Sequence, residues 1–187
     1  MEEKRNFDLL TLGQVLLRLS PPNNDRLVRG DTFVKQVGGA ELNVAVGVAL
    51  LGLRTGVISK LPSHDMGSFM KGKIRSYGVS DDFFMYDDSP SARVGIYYYE
   101  NGAYPRKPKV IYDRANSSFY SLKIDEIPEK AYTASRCFHT SGITLALSPK
   151  VRETTIEMIK RFKAAGTLVS FDVNFRGNLW TGEEAKE

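Results

Sequence analysis

The sequence predicts an α/β protein built on a mostly parallel sheet, and three observations carry that expectation. Short apolar runs alternate with longer segments whose apolar residues recur at helical spacing. Gly52, Gly78 and Gly166 close the helical segments, and Pro149 stands in the first turn of the last one. Residues able to do chemistry collect where predicted strands end, which is where such sheets bind ligands. Right-handed crossovers then join successive parallel strands.

Taken in order, residues 7–13 form an apolar run closed by glycine and read as a buried strand. Residues 14–37 show no helical stripe and carry Pro21, Pro22, Asn23 and Asn24 as turn residues. Next comes Val37-Gly38-Gly39-Ala40-Glu41-Leu42-Asn43-Val44-Ala45, which opens a helix predicted over 40–52. Leu42, Val46, Ala49, Leu50 and Leu53 supply its apolar spacing. The glycine pair lets backbone approach a ligand closely, and the Asn43 amide both donates and accepts hydrogen bonds. This corner reads either as a tight loop-to-helix turn or as a polyol-reading site at a helix N-terminus.

Residues 55–61 and 66–77 read as the second strand and helix. Residues 91–117 break the rhythm, because 94–99 and 110–112 flank Asn101-Gly102 as a hairpin-like pair rich in aromatic and β-branched residues. The segments 14–37 and 91–117 are therefore expected to be strand insertions that pair into a small sheet, suited to serve as a lid. Tyr97, Tyr98 and Tyr99 alternate faces, with Tyr98 pointing away from its neighbours. A strand over 137–143, a helix over 149–165 and a strand over 167–172 complete the pattern.

Composition narrows the class. Of 187 residues, 42% are hydrophobic and 26% charged, enough for one real core. No apolar run reaches the roughly 18 residues of a membrane span, and the polar start argues against a targeting peptide. Cys137 is the only cysteine, so neither an internal disulfide nor a cysteine-based zinc site is expected. A cytoplasmic enzyme domain fits, with no membrane and no nucleic acid among its partners. The net charge of +4 is spread, although Arg93 to Arg114 holds five basic residues against Glu100 and Asp113. That strip is able to attract an anionic substrate, while Lys107 and Lys109 read as solvated surface. His64 and His139 read as satisfied histidines rather than general bases.

The last cluster is Asp172-Val173-Asn174-Phe175-Arg176, with Leu179-Trp180 behind it. In an extended segment Asp172, Asn174 and Arg176 line one side at a strand's carboxyl end. An arginine there grips a carboxylate or phosphate with two parallel hydrogen bonds. The competing reading is a strand end tied down by local side-chain hydrogen bonds.

Gly38-Gly39-Ala40-x-x-Asn43 with its apolar helix, and Asp65-x-Gly67 at the next turn, resemble the N-terminal signature of the ribokinase-like (PfkB) carbohydrate kinases. Ile111-Tyr112-Asp113-Arg114, Ser141-Gly142-Ile143-Thr144 through Pro149, and Asp172-Val173-Asn174-Phe175-Arg176-x-x-Leu179-Trp180 bring it closest to the branch acting on 2-keto-3-deoxygluconate. The resemblance implies a three-layer α/β/α sandwich with a small β-sheet lid, often paired between subunits. The apolar face of 92–99 points the same way, to a homo-oligomer formed through that sheet. It implies ATP and Mg2+ as cofactors and phosphorylation of a sugar acid at its 6-hydroxyl. Gly39, Ala40, Glu41, Leu42 and Asn43 match the segment that binds substrate hydroxyls. Tyr97, Tyr112 and Arg114 match lid residues around the sugar and its acid end, Arg176 matches a substrate arginine, and Asn174 matches a position on the nucleotide side. Two arginines with two tyrosines suit a sugar acid better than a neutral sugar, which would leave buried charge unpaired.

There are departures. The family's Gly-Ala-Gly-Asp motif, whose aspartate deprotonates the attacking hydroxyl, does not occur in these residues. No catalytic base is therefore assigned within them, and the chain reads as the substrate-binding portion of a longer kinase, inactive alone. Leu61-Pro62-Ser63-His64-Asp65 carries proline and histidine where relatives commonly have glycine and an acid. Three alternatives stand beside this reading: a fructokinase, ribokinase or 5-keto-2-deoxygluconate kinase of the same fold, a non-catalytic sugar-acid-binding protein, and a dinucleotide-dependent oxidoreductase. The last is excluded because no Gly-x-Gly-x-x-Gly follows the first strand.

Overall fold

A computed structural model describes residues 5–186, and two sheets organise them. The larger is fully parallel, ordered β5-β4-β1-β8-β9 from β1 (Phe7–Leu12), β4 (Thr55–Pro62), β5 (Val79–Asp87), β8 (Ser135–Ser141) and β9 (Leu168–Asp172). The smaller is ordered β3-β2-β6-β7, from β2 (Leu16–Ser20), β3 (Val34–Gly38), β6 (Gly95–Glu100) and β7 (Lys109–Asp113). Its strands come from the two segments that interrupt the α/β rhythm.

Helices cover both faces of the larger sheet. Successive strand residues point to opposite faces, so Val57 enters the layer with α1 (Ala40–Leu50) and α2 (Asp65–Ser76). Its neighbour Ile58 enters the layer with α5 (Pro149–Ala164). In that second layer Phe138 of β8 stacks on Phe162 of α5, and both are fully buried. Local chemistry sets the helix ends. Ser148 accepts from the Val151 amide at 3.2 Å to start α5, with Pro149 in its first turn. At α2 the cap is His64, whose Nδ1 accepts from the Met66 amide at 3.2 Å. This gives His64 a structural post. His139 lies within β8 beside Ser170 Oγ at 3.0 Å, likewise a satisfied histidine.

Several details differ from the sequence expectation. β5 lies outside the strands expected from sequence because Ser80, Asp81 and Asp82 separate buried Val79 from buried Phe83, Phe84 and Met85 and break any period. The strand expected over 137–143 is shifted, because the chain turns into α4 (Gly142–Leu145) at Gly142. Residues 118–133 form two 3-10 turns and the short α3 (Lys130–Thr133), packing Phe119, Leu122, Ile127 and Tyr132 against the sheet without a regular stripe. On α1, Leu42, Val46 and Ala49 face the core, but Leu50 is 80% exposed and Leu53 lies past the helix end. β9 is an edge strand with Leu168 and Phe171 exposed. No helix among the described residues is long and apolar enough to cross a membrane.

Candidate active site

The end of β1, the N-terminus of α1 and one face of the smaller sheet converge. The chain leaves β1 through Gly13 and Gln14, and returns along β3 to Gly38 and Gly39 before α1. Gly39 has φ +155°, and a Cβ there would lie 2.7 Å from the Gln14 carbonyl oxygen. At Gly38 a Cβ would meet the Tyr97 hydroxyl at 2.4 Å. Both positions demand glycine for close approach. Gly39 caps α1 without a side chain, so the first amides of the helix have no acceptor within it and face the site.

The register of the smaller sheet sorts its aromatic residues. Tyr97 pairs with Arg18 on one side and Tyr112 on the other, and paired residues share a face. The Tyr97 and Tyr112 rings lie 5.9 Å apart, and the Arg18 guanidinium covers the Tyr99 ring at 4.2 Å. Tyr98 points away, against Phe33 at 5.9 Å on the opposite face. Burial raises the Tyr97 phenol above its ordinary value, so it remains a hydroxyl donor at neutral pH.

Arg114 follows β7 and is partly buried, 5.6 Å from the Tyr112 ring centroid. Its Nε donates to Gln14 Oε1 at 2.7 Å, and no carboxylate among the described residues forms an ion pair with it. Burial lowers its pKa, opposed by the field of Tyr120, Tyr112 and Glu41. The rest of the basic strip is otherwise engaged or solvated. Arg93 pairs with Asp113 at 2.8 Å and Arg106 with Glu100 at 2.5 Å, while Lys107 and Lys109 are exposed. Glu100 also accepts from the Leu27 amide at 2.8 Å, tying the β2–β3 connection to the β6–β7 hairpin. That amide, helped by Arg106, holds the Glu100 carboxyl below the usual range.

Within residues 39–43 the side chains divide. Leu42 is in the core, and Glu41 is 1% exposed, so neither presents a side chain to a ligand. Glu41 Oε1 accepts from Ser141 Oγ at 2.6 Å and Thr144 Oγ1 at 2.8 Å. Asn43 is exposed on α1, whose N-cap is Gly39, and its side chain does not cap the helix. Asn43→Ala is therefore expected to leave the unfolding midpoint within about 2 °C, since surface changes stay within ~0.5 kcal/mol. The same variant should weaken binding of any polyol ligand, and calorimetry checks both halves.

The 172–176 cluster is not the extended row expected. β9 ends at Asp172, Asn174 has φ +38°, and its amide donates to Asp172 Oδ1 at 2.9 Å. This local turn swings Arg176 to the surface, where its Nη1 donates to the Phe175 carbonyl at 3.0 Å. Nothing places Arg176 beside Arg114. Asn174 is half-buried near the β8–α4 corner, where a Cβ on Gly142 would meet the Val173 carbonyl oxygen at 2.1 Å. Among the described residues there is no group of three or more histidine, cysteine or acidic side chains placed to hold a metal ion. The apolar face cited for subunit pairing is partly spent internally, because Val94 and Ile96 pack onto the α1–α2 core.

Sequence reasoning missed Gln14 and Arg18. A polar glutamine straight after a buried strand was the available signal for the first. Alternation with Tyr97 across the small sheet was the signal for the second.

Comparison with known proteins decides the family. Residues 6–187 match the pfkB family carbohydrate kinase. The chain belongs to that family. It is 38% identical over 180 residues to a 2-dehydro-3-deoxygalactonokinase of Haloferax volcanii, covering 96% of this chain and 56% of that protein. A 2-dehydro-3-deoxygluconokinase of Bacillus subtilis is 31% identical, with 93% of this chain and 53% of the relative covered. The crystal structure of 2-dehydro-3-deoxygluconokinase from Thermotoga maritima superposes with a TM-score of 0.90 at 38% identity. That match covers 95% of this chain and 54% of the Thermotoga chain. The chain thus spans about half the length of the PfkB relatives it matches, and the ribokinase-like fold holds across nearly all of it.

Proposed function

We propose that the protein carrying this chain is a sugar-acid kinase that phosphorylates the 6-hydroxyl of 2-keto-3-deoxygluconate or its C4 epimer. The observation that carries this reading is Arg114: a partly buried guanidinium, held at Nε and lacking any acidic partner, beside a tyrosine-lined helix N-terminus. Such a charge is costly unless a ligand supplies the counter-ion, and a carboxylate fits its planar fork. The relatives at 38% and 31% identity are named as kinases of two such acids.

In this reading Arg114 binds the carboxylate. The first amides of α1 and the Asn43 side chain bind hydroxyl oxygens, and the Tyr97 and Tyr112 hydroxyls orient the sugar. Gly39 and Ala40 contribute through their backbone. Arg176 joins only if the turn after Asp172 moves, and Asn174 stands on the nucleotide side. ATP with Mg2+ supplies the phosphoryl group when bound. The residue that takes the proton from the attacking hydroxyl lies outside these residues. Pairing of two copies through the smaller sheet also belongs to this proposal.

The test is phosphorylation by the native protein, followed as ADP release, with both keto-deoxy acids, 5-keto-2-deoxygluconate and fructose. We expect the keto-deoxy acids to exceed fructose by about 100-fold or more in kcat/KM, as expected when a charged contact decides. Equal use of fructose would overturn the reading.

A further inference from the structure

Gln14 occupies the bend between β1 and β2 and is 3% exposed. A buried primary amide is expensive unless its groups are paired, and here they are. Oε1 accepts from Arg114 Nε at 2.7 Å, while Nε2 donates to Ser117 Oγ at 2.6 Å and to the Arg114 carbonyl at 3.2 Å. The orientation of the amide follows from these partners, because Arg114 Nε only donates and the carbonyl only accepts. Space for it comes from Gly95, where a Cβ would lie 2.8 Å from Gln14 Nε2.

The contacts join the β1–β2 bend to the segment after β7, 100 residues away in sequence. They hold Arg114 twice, by its side-chain Nε and by its main-chain oxygen. With Nε occupied, the Nη1 and Nη2 donors remain, and neither has a partner among the described residues. That leaves the end-on fork of the guanidinium, the geometry that takes a carboxylate with two parallel bonds. A freely rotating arginine would lose orientational freedom at each binding event, whereas one held at Nε has lost it already.

We propose that Gln14 is the positioning residue that aims Arg114, presenting its terminal fork to the carboxylate of the substrate. It touches the arginine and not the ligand. The assignment of the ligand as a sugar acid rests on the function proposed above, but the holding of Arg114 does not.

Two measurements on the native protein test it. The first follows the Nε–H signal of Arg114 by nitrogen–proton NMR, with no substrate present. In wild type the signal is expected to be protected from solvent exchange, and in Gln14→Met the protection is lost. The second is kinetic. Gln14→Met should raise KM for the sugar acid about tenfold, the loss of one charge-assisted hydrogen bond's worth of orientation. KM for ATP, and KM for the analogue with the carboxylate reduced to an alcohol, should stay within about twofold. Gln14→Glu keeps an acceptor for Arg114 Nε and should recover the protected signal, while KM for the acid stays raised because the new carboxylate is itself a counter-ion for the guanidinium. Ser117→Ala loosens Gln14 more gently and should raise the acid KM about threefold, which keeps the test available if Gln14→Met folds poorly. An unprotected Nε–H in wild type, or equal losses with acid and reduced analogue, would overturn the proposal. If wild type shows the protected signal yet phosphorylates no sugar acid, the function falls and the positioning role stands.

Discussion

Replacing Arg114 with methionine is expected to lower kcat/KM for the keto-deoxy acid by roughly 30- to 1,000-fold, the equivalent of about 2–4 kcal/mol for a truncated charged contact. Methionine keeps the apolar stem against Tyr112 and removes the whole guanidinium, its Nε bond to Gln14 included. Fructose and the carboxyl-reduced analogue, which offer no counter-ion, should change by less than about threefold. Stability should change little. Arg114 is partly buried without an acidic partner, and burial already lowers its pKa, although the guanidinium stays charged at any assay pH. Removing a charge held at a cost is offset by stripping buried Gln14 Oε1 of its donor, so the unfolding midpoint should shift by only a few degrees. Loss of acid specificity at nearly unchanged stability distinguishes a ligand-binding arginine from a structural one. A fall in both would assign it to the scaffold.

How much of this was legible in sequence depended on how local the signal was. The strand–helix alternation was readable because β1 is an apolar run, β4 carries Val57, Ile58 and Leu61, and α5 has its own cap at Ser148 and stop at Gly166. β5 was not, because its polar first half breaks any period and its burial depends on α2 and β4 lying over it. Residues 118–133 were missed for the same reason, since their apolar side chains fill irregular space above the sheet. In the site, the glycine pair and Tyr97 were legible as types. The close approach of the Tyr97 hydroxyl to Gly38 was not, because it arises only when β2 pairs with β3 on one side and β6 on the other. Alternation over 172–176 failed at a single residue, Asn174, whose positive φ is stabilised by the Asp172 carboxylate. Glu41 carried the most misleading signal, a polar residue at the start of α1 whose side chain turns inward. Gln14 showed no motif at all, and only its 100-residue reach to Arg114 gives it meaning.

Glu41→Ala is expected to destabilise the protein by about 3 kcal/mol or more, lowering the unfolding midpoint by roughly 6–12 °C. The carboxylate lies at the junction of three elements: the end of β1, the first turn of α1 and the β8–α4 corner. Oε1 satisfies two buried hydroxyls, Ser141 at 2.6 Å and Thr144 at 2.8 Å, and both would lose that acceptor in the alanine variant. Oε2 fills the space over Gly13, where a Cβ would lie 2.2 Å from it, so truncation opens a cavity as well. The N-terminus of α1 favours negative charge at this position. Glu41→Gln keeps a carbonyl oxygen for the two hydroxyls and the same volume over Gly13, so its cost should be about 1–2 kcal/mol. Because β1, α1 and β8 together hold the site, the alanine variant should lose activity through unfolding, and ligand affinity measured below its midpoint should be nearly normal. A variant with an unchanged midpoint and abolished binding would instead return Glu41 to the ligand's side of the helix. The ordering Glu above Gln above Ala in midpoint, with affinity flat across the three, is the pattern that identifies a buried strut.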